Sequence, residues 1–136
     1  MKKIREGVFE TNSSSSHSIT LGVGEFIPSP LYRENGVTII GQDEFGWEIN
    51  DYSDSNTKAA YALTYASGDE SLIEMLEKVV RREIGDAGLQ MDTECGNGYI
   101  DHQSSCIGNS IFESEDTLHR FIFNRASSLH TDNDNH

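Results

Sequence analysis

The pattern between Asp69 and Gly85 constrains the fold most, because it predicts one amphipathic helix with a clear start and end. Its apolar residues recur at helical spacing and define one stripe: Leu72, Ile73, Leu76, Val79, Val80 and Ile84. Asp69 or Ser71 can cap the start, whereas Arg81 and Arg82 stand late, in accord with the helix dipole. Gly85 is a natural stop. Because one face is apolar, this helix must be buried against another layer of structure.

Two shorter segments, 54–66 and 115–124, predict further helices. Ser53 or Asp54 can cap the first segment, which Ser67-Gly68 ends, and Ser114 can cap the second. The side chains expected to face inward are Ala59, Ala60, Leu63 and Ala66 in the first helix, and Leu118, Phe121 and Ile122 in the second. Three helices are therefore available to cover a sheet.

Short alternating or β-branched segments predict the strands. They cover residues 17–23, 37–40, 44–49, 89–92, 99–102 and 126–131, with 2–9 as an edge strand or extended lead-in. Gln42-Asp43 suggests a hairpin between two of these segments, and Asn97-Gly98 suggests another. The chain is therefore expected to be α+β, with a small, mostly antiparallel sheet packed against two or three helices. Residues 1–136 are expected to form a single domain, with a frayed tail at 131–136.

An excess of acids limits the partners. The chain has 23 Asp plus Glu against 10 Lys plus Arg, and its formal net charge is −13. The stretches 34–54 and 83–116 contain many acids and no Lys or Arg. Such a surface repels a phosphate backbone, so direct nucleic-acid binding is not expected. The surface suits a basic protein partner, to which it could present its charges in place of nucleic acid. The simpler interpretation is that the charges only keep the protein soluble.

The polar run 11–18 is the candidate site, because it stands between apolar Val8-Phe9 and a strand that begins near Ile19. Asn and Ser side chains favour tight turns, and such a turn can direct N–H and hydroxyl donors at phosphate or carboxylate. The candidate ligand-binding residues are Thr11, Asn12, Ser13, Ser14, Ser15 and Ser16, together with Ser104 further along the chain. The simpler interpretation is a solvated turn between two strands.

Two histidines supply candidate chemistry. His17 supplies an imidazole, a group that can gain or lose a proton near neutral pH, and Asp101-His102 lies in a second turn-rich segment. If the two histidines converge, they are expected to act as base and acid, with Glu10 or Asp101 orienting them. Two unrelated surface histidines are the alternative.

A metal site is the less favoured interpretation of the cysteines. Cys95, His102 and Cys106 offer thiolate and imidazole ligands, but their spacing is loose and no Cys-x-x-Cys pair occurs. Both cysteines are expected to be reduced and to serve as small buried hydrophobic residues. No metal is predicted, and the sequence identifies no cofactor.

Three segments resemble a group of small uncharacterised proteins from phages and bacteria. They are Arg5 with the stretch from Val8 to Ser18, the stretch 98–104, and the end of the chain from 121–124 through 131–135. The resemblance touches both ends of the chain. The group has no established activity, so the resemblance implies only that these polar stretches belong to a recurring design.

The sequence therefore leaves two alternative functions. The first is a small-ligand site, for an anionic or nucleotide-like molecule, built from the serine-rich run and the two histidines. The alternative is a non-enzymatic, acidic phage accessory protein that binds or inhibits a basic host protein. A structural phage component is neither supported nor opposed. No apolar run has the length of a membrane span and no secretory signal is evident, so a cytoplasmic location is expected, in the host if the chain is phage-encoded.

Overall fold

A computed structural model describes residues 16–22, 26–45, 50–94, 96–100 and 108–132. These residues have the α+β organisation that the sequence predicts. The elements in chain order are β1 (Ser16–Thr20), β2 (Arg33–Glu34), β3 (Val37–Ile40), β4 (Glu44–Phe45), β5 (Asn50–Tyr52), α1 (Ser55–Ala66), α2 (Glu70–Ile84), β6 (Gly88–Met91), β7 (Tyr99–Ile100), α3 (Gly108–Ile111), α4 (Glu115–Phe123) and β8 (Ser128–Asp132). The predicted strand at 2–9 lies outside the described residues.

Helix α2 confirms the predicted stripe and both predicted ends. Asp69 caps it by accepting hydrogen bonds from the backbone N–H groups of Ser71 and Leu72. A hydrogen bond from the Ser71 side chain, supported by the backbone of Leu72, lowers the pKa of the Asp69 carboxyl. Gly85 ends the helix at φ 65, a conformation that glycine adopts without steric cost. The apolar stripe thus faces the core, with Leu76, Val79 and Val80 fully buried.

Helix α1 is the centre of the fold. It packs against α2, α3, α4, β3 and β7, so it is buried around most of its circumference. Asp54 is its N-cap and accepts from the N–H of Thr57, while Ser67 is its C-cap, as predicted. The largest fully buried side chain of the described residues, Tyr61, lies on this helix. Helix α4 begins at the predicted cap, Ser114.

The strands form three small sheets in the described part of the chain. The largest has the order β1-β8-β5 and is antiparallel throughout. In the second, β3 lies between antiparallel β2 and parallel β6, and the third is the parallel pair β4-β7. Strand β8 extends to residue 132, so the first two residues of the predicted tail are paired with β1. Residues 133–136 lie outside the described residues.

Both predicted hairpins are wrong. Strand β3 does not pair with β4 across Gln42-Asp43, because each of them pairs with other strands. Strands β6 and β7 likewise belong to different sheets, so Asn97-Gly98 does not join a hairpin. A Cβ at Gly98 would come within 2.6 Å of the Gln42 Cβ, so this glycine permits a close approach between segments. Gly98 therefore permits close packing against Gln42 and does not make a hairpin turn.

The hairpin that does form joins β2 to β3 through Asn35-Gly36. Both residues have positive φ, 52 and 80, which a type I′ turn requires. Glu34 pairs directly with Val37, so the turn has two residues. Asn35-Gly36 has the same hairpin-forming sequence as Asn97-Gly98, so the dipeptide alone does not decide which of the two makes a hairpin.

Candidate functional site

His17 faces the core and not the solvent. It lies on the same side of β1 as Ile19, and only 1% of its surface is exposed. Its Nδ1 lies 3.2 Å from the hydroxyl oxygen of Tyr61, within hydrogen-bond distance. Tyr61 in turn packs edge-to-face on Phe45, with ring centroids 4.8 Å apart. His17 therefore belongs, with Tyr61 and Phe45, to an aromatic cluster between β1 and α1.

Most of the other predicted site residues lie outside the described residues. They are Glu10, Thr11, Asn12, Ser13, Ser14, Ser15, Asp101, His102 and Ser104, and the same holds for Cys95 and Cys106. Ser16 is described through its backbone, as the first residue of β1, opposite Asp132. Convergence of His17 with His102 therefore stays a prediction.

The opposite face of the β1-β8-β5 sheet carries a row of three residues with complementary chemistry. Ser18 on β1 pairs with His130 on β8, and His130 pairs with Asp51 on β5. Directly paired residues point to the same face, with Cβ atoms roughly 4.5–5.5 Å apart. The His130 Nδ1 lies 2.7 Å from the Asp51 carboxylate. We call these residues the Ser18–His130–Asp51 row.

This face is polar and accessible. The side chain of His130 is 37% exposed and that of Asp51 is 75% exposed, whereas Ser18 is half-buried. The next pair along β1 and β8, Thr20 with Ser128, adds two more hydroxyls. An imidazole, a carboxylate and three hydroxyls therefore occupy neighbouring positions beside the end of the serine-rich run.

The Ser18–His130–Asp51 row was missed for an identifiable reason. Side chains alternate along a strand, so His17 must share a face with Ile19, and Ser18 must point the other way. That alternation was readable from the sequence and already indicated an inward His17. The meeting of Ser18 with His130 depends on strand register, and neither residue has a local motif that signals it.

A second histidine–carboxylate pair lies elsewhere and connects two helices. His119 Nε2 on α4 is 2.6 Å from the Glu83 carboxylate on α2. The His119 ring also stacks on Phe26, with centroids 5.5 Å apart and an interplanar angle of 18°. Further ion pairs, Arg82–Asp116 and Lys78–Glu115, join the same helices. This pair is therefore part of the α2–α4 contact.

Lys58 supports the strand that carries His130. Its side chain is fully buried, and Nζ donates to the backbone carbonyls of Asn124 at 2.9 Å and Ser127 at 2.8 Å. Burial lowers the pKa of Lys58 to about 8, against the opposing effect of the nearby Asp54 carboxylate. The two acceptors lie in the corner between α4 and β8. Lys58 thus helps to hold the start of β8 in place.

The described residues contain no group of three His, Cys, Asp or Glu side chains that could hold a metal ion. No described helix has the length and apolar character that a membrane span needs. No family model matches the chain, and no curated protein or solved structure shows significant similarity to it. Inferences about function therefore rest on the chemistry of the chain itself.

Proposed function

We propose that the protein binds a small anionic or nucleotide-like ligand beside the serine-rich run and acts on it with a histidine as the acid–base group. The observation that carries the proposal is the Ser18–His130–Asp51 row, with 2.7 Å between His130 and Asp51. The serine-rich run leads directly into β1, whose outer face carries Ser18. Residues 11–16 and Ser104 keep their proposed role as donors to the ligand.

The proposal assigns the acid–base role to His130 in place of His17. His17 is 1% exposed and contacts Tyr61, so its ring supports the core. His130 is partly exposed and lies among hydroxyls that can donate to phosphate or carboxylate oxygens. His102, with Asp101 and Glu10, remains the proposed second acid–base group.

Asp51 determines which atom of His130 can act. An ionised carboxylate only accepts hydrogen bonds, so the Nδ1 that faces Asp51 carries the hydrogen. In a neutral imidazole Nε2 is then the atom that accepts a proton. Asp51 therefore orients the ring and selects the tautomer, which are the usual functions of a carboxylate beside a histidine that acts as a general acid or base.

A comparison of two histidine variants tests the proposal. Nucleotides and sugar phosphates are screened by thermal shift against the native chain, His130→Ala and His119→Ala. A ligand that binds only the folded chain raises the midpoint by mass action. We expect one of these ligands to stabilise the native chain and His119→Ala, and to lose its effect in His130→Ala.

His119→Ala is the matched control, because it also removes a histidine that is paired with a carboxylate, but one that belongs to the α2–α4 contact and not to the row. Far-ultraviolet circular dichroism verifies that both variants are folded. Equal stabilisation of both variants by the ligand would refute the role of His130. The absence of any shift in the native chain would refute the small-ligand function.

A second candidate is the acidic accessory protein that binds a basic host protein. The described acids of the stretch 34–54 are all exposed: Glu34, Asp43, Glu44, Asp51 and Asp54. Exposed carboxylates attract a basic partner over a distance set by salt screening. Such a protein is expected to bind a polyarginine peptide, and the affinity is expected to fall steeply as salt is added.

The triple variant Glu34→Gln, Asp43→Asn, Glu44→Gln locates that binding. We expect it to weaken affinity for the polyarginine peptide in isothermal titration, because it removes three exposed charges from one stretch. Three exposed glutamates of α2 (Glu70, Glu74 and Glu77) supply the charge-matched control triple. Equal losses in both triples would indicate attraction to net charge alone and would count against a defined partner surface.

A further inference from the structure

From the same row we infer a specific chemistry: Ser18 is a nucleophile that attacks a small carboxylic ester, with His130 as its general base. Asp51 is the positioning residue that holds His130. This inference rests on the proposed function, because it uses the same face of the β1-β8-β5 sheet. It goes further by naming the bond that is broken and the residue that becomes covalently modified.

The order of the strands supplies the first argument. Because β8 lies between β1 and β5, His130 has Ser18 on one side and Asp51 on the other. A nucleophile–base–carboxylate site needs that order, since each ring nitrogen must serve a different neighbour. The Nδ1 side is already directed at Asp51, at 2.7 Å. The row therefore places the three residue types of a serine hydrolase site side by side, in the order that such a site needs.

The distance between Ser18 and His130 supplies the second argument. Their pairing in register sets the Cβ atoms roughly 4.5–5.5 Å apart, so rotation of the Ser18 side chain between staggered positions changes the gap to the ring. Among the described residues, no hydrogen bond yet joins the Ser18 hydroxyl to His130. Such contacts are often long without substrate and shorten when it binds. Thr20 pairs with Ser128, whereas Ser18 pairs with His130. Ser18 is therefore the hydroxyl residue that lies directly beside the imidazole.

The position of β1 supplies the third argument. It is an edge strand among the described residues, so alternate backbone N–H groups point away from β8. Backbone N–H groups that are directed at a reacting carbonyl are the common donors to the negative oxygen of an acyl-transfer intermediate.

The reaction balances with water alone. The Ser18 hydroxyl transfers its proton to His130 Nε2 as its oxygen bonds to the carbonyl carbon. The carbon–oxygen bond to the alcohol then breaks, and the departing oxygen takes that proton. Water adds to the acyl-Ser18 ester, again through His130, and releases the carboxylic acid and the free hydroxyl. No atom is oxidised or reduced.

A fluorophosphonate probe, which modifies activated serines, tests the inference on the full chain. Peptide mass mapping is expected to find the probe on Ser18 in the native chain and on no serine in Ser18→Ala. Ser128→Ala is the control on the same face and is expected to label normally. His130→Ala is expected to slow labelling about a hundredfold, the lower range of general-base catalysis. The rate of para-nitrophenyl acetate hydrolysis is expected to fall in the same variants that label slowly or not at all.

Asp51 is tested by rescue. We expect Asp51→Ala to slow labelling and Asp51→Glu to restore most of it, with the thermal midpoint the same in both variants. A purely structural role would change labelling and the midpoint together, and that outcome would overturn the positioning role.

The two proposals fail separately. Absence of the probe from Ser18 in the native chain, or labelling of another serine in Ser18→Ala, would overturn the nucleophile. If Ser18→Ala and the native chain are then stabilised by the same ligand, the binding function stands. If neither is labelled and neither is stabilised, both proposals fall.

Discussion

Replacement of Tyr61 by alanine is expected to lower the free energy of unfolding by about 3–5 kcal/mol, the range for removing a buried aromatic ring. Tyr61 is fully buried on α1, which packs against the other three helices and against β3 and β7. Its ring packs on Phe45 with centroids 4.8 Å apart, and its hydroxyl oxygen lies 3.2 Å from His17. The variant leaves a cavity among side chains that cannot fully collapse into it. Urea unfolding followed by circular dichroism measures the loss.

Two further tyrosine variants make that result interpretable. Tyr61→Phe keeps the ring and removes the contact with His17, so its loss is expected to be only about 1 kcal/mol. Tyr32 is 62% exposed, and Tyr32→Ala is expected to change stability by less than about 0.5 kcal/mol. Similar losses in Tyr61→Ala and Tyr32→Ala would contradict the central position of Tyr61.

The same contact decides how His17 variants should be interpreted. Since His17 is buried against Tyr61, His17→Ala is expected to destabilise the chain whether or not the protein binds a ligand. A lost ligand effect in that variant would not distinguish a site from a weakened core. For that reason the ligand test uses His130, which lies on the outer face.

The stability of the native chain is expected to rise by about 3 kcal/mol through Lys58 as the pH increases from about 8 to 10.5. Burial lowers the pKa of Lys58 to about 8 in the folded chain, from 10.5 in the unfolded chain. Between these values the unfolded chain binds the additional proton, so raising the pH favours the folded chain. Below pH 8 the ammonium is charged in both states, and the burial of its charge opposes folding in full.

Lys58→Met isolates this contribution, because methionine has a similar length and does not titrate. Unfolding free energies of the native chain and the variant are compared below, within and above the pH range, so contributions of other groups cancel. As the pH rises, the unfolding free energy of the native chain is expected to increase relative to that of Lys58→Met. Lys78→Met is the control, since Lys78 is 70% exposed on its side chain and pairs weakly with Glu115. A difference for Lys58 that does not vary with pH would show that burial leaves its pKa unchanged.

Local signals predicted the three longer helices, α1, α2 and α4, but not the short helix α3. The caps Asp54, Asp69 and Ser114 bond to N–H groups two or three residues away, so the sequence alone contains the interaction that starts each helix. The stop at Gly85 follows equally from one residue and its backbone conformation. The first strand was also predicted, although it begins at residue 16 and ends at 20.

Turn signals were less reliable, because the same dipeptide serves two purposes here. Asn35-Gly36 makes a two-residue turn, whereas Gly98 in Asn97-Gly98 permits close packing against Gln42. Both have the same local sequence. Only the partners that β6 and β7 find elsewhere decide which one becomes a hairpin.

The sequence by itself determined the three longer helices and their ends, because each depends on neighbours within a few residues. Tertiary structure alone decided the Ser18–His130–Asp51 row, since His130 and Asp51 are 79 residues apart and meet only through strand register. It also decided that Lys58 is buried, because its carbonyl acceptors lie 66 and 69 residues further along the chain. Contacts of that range depend on the folding of the whole core, and no local pattern of residues encodes them.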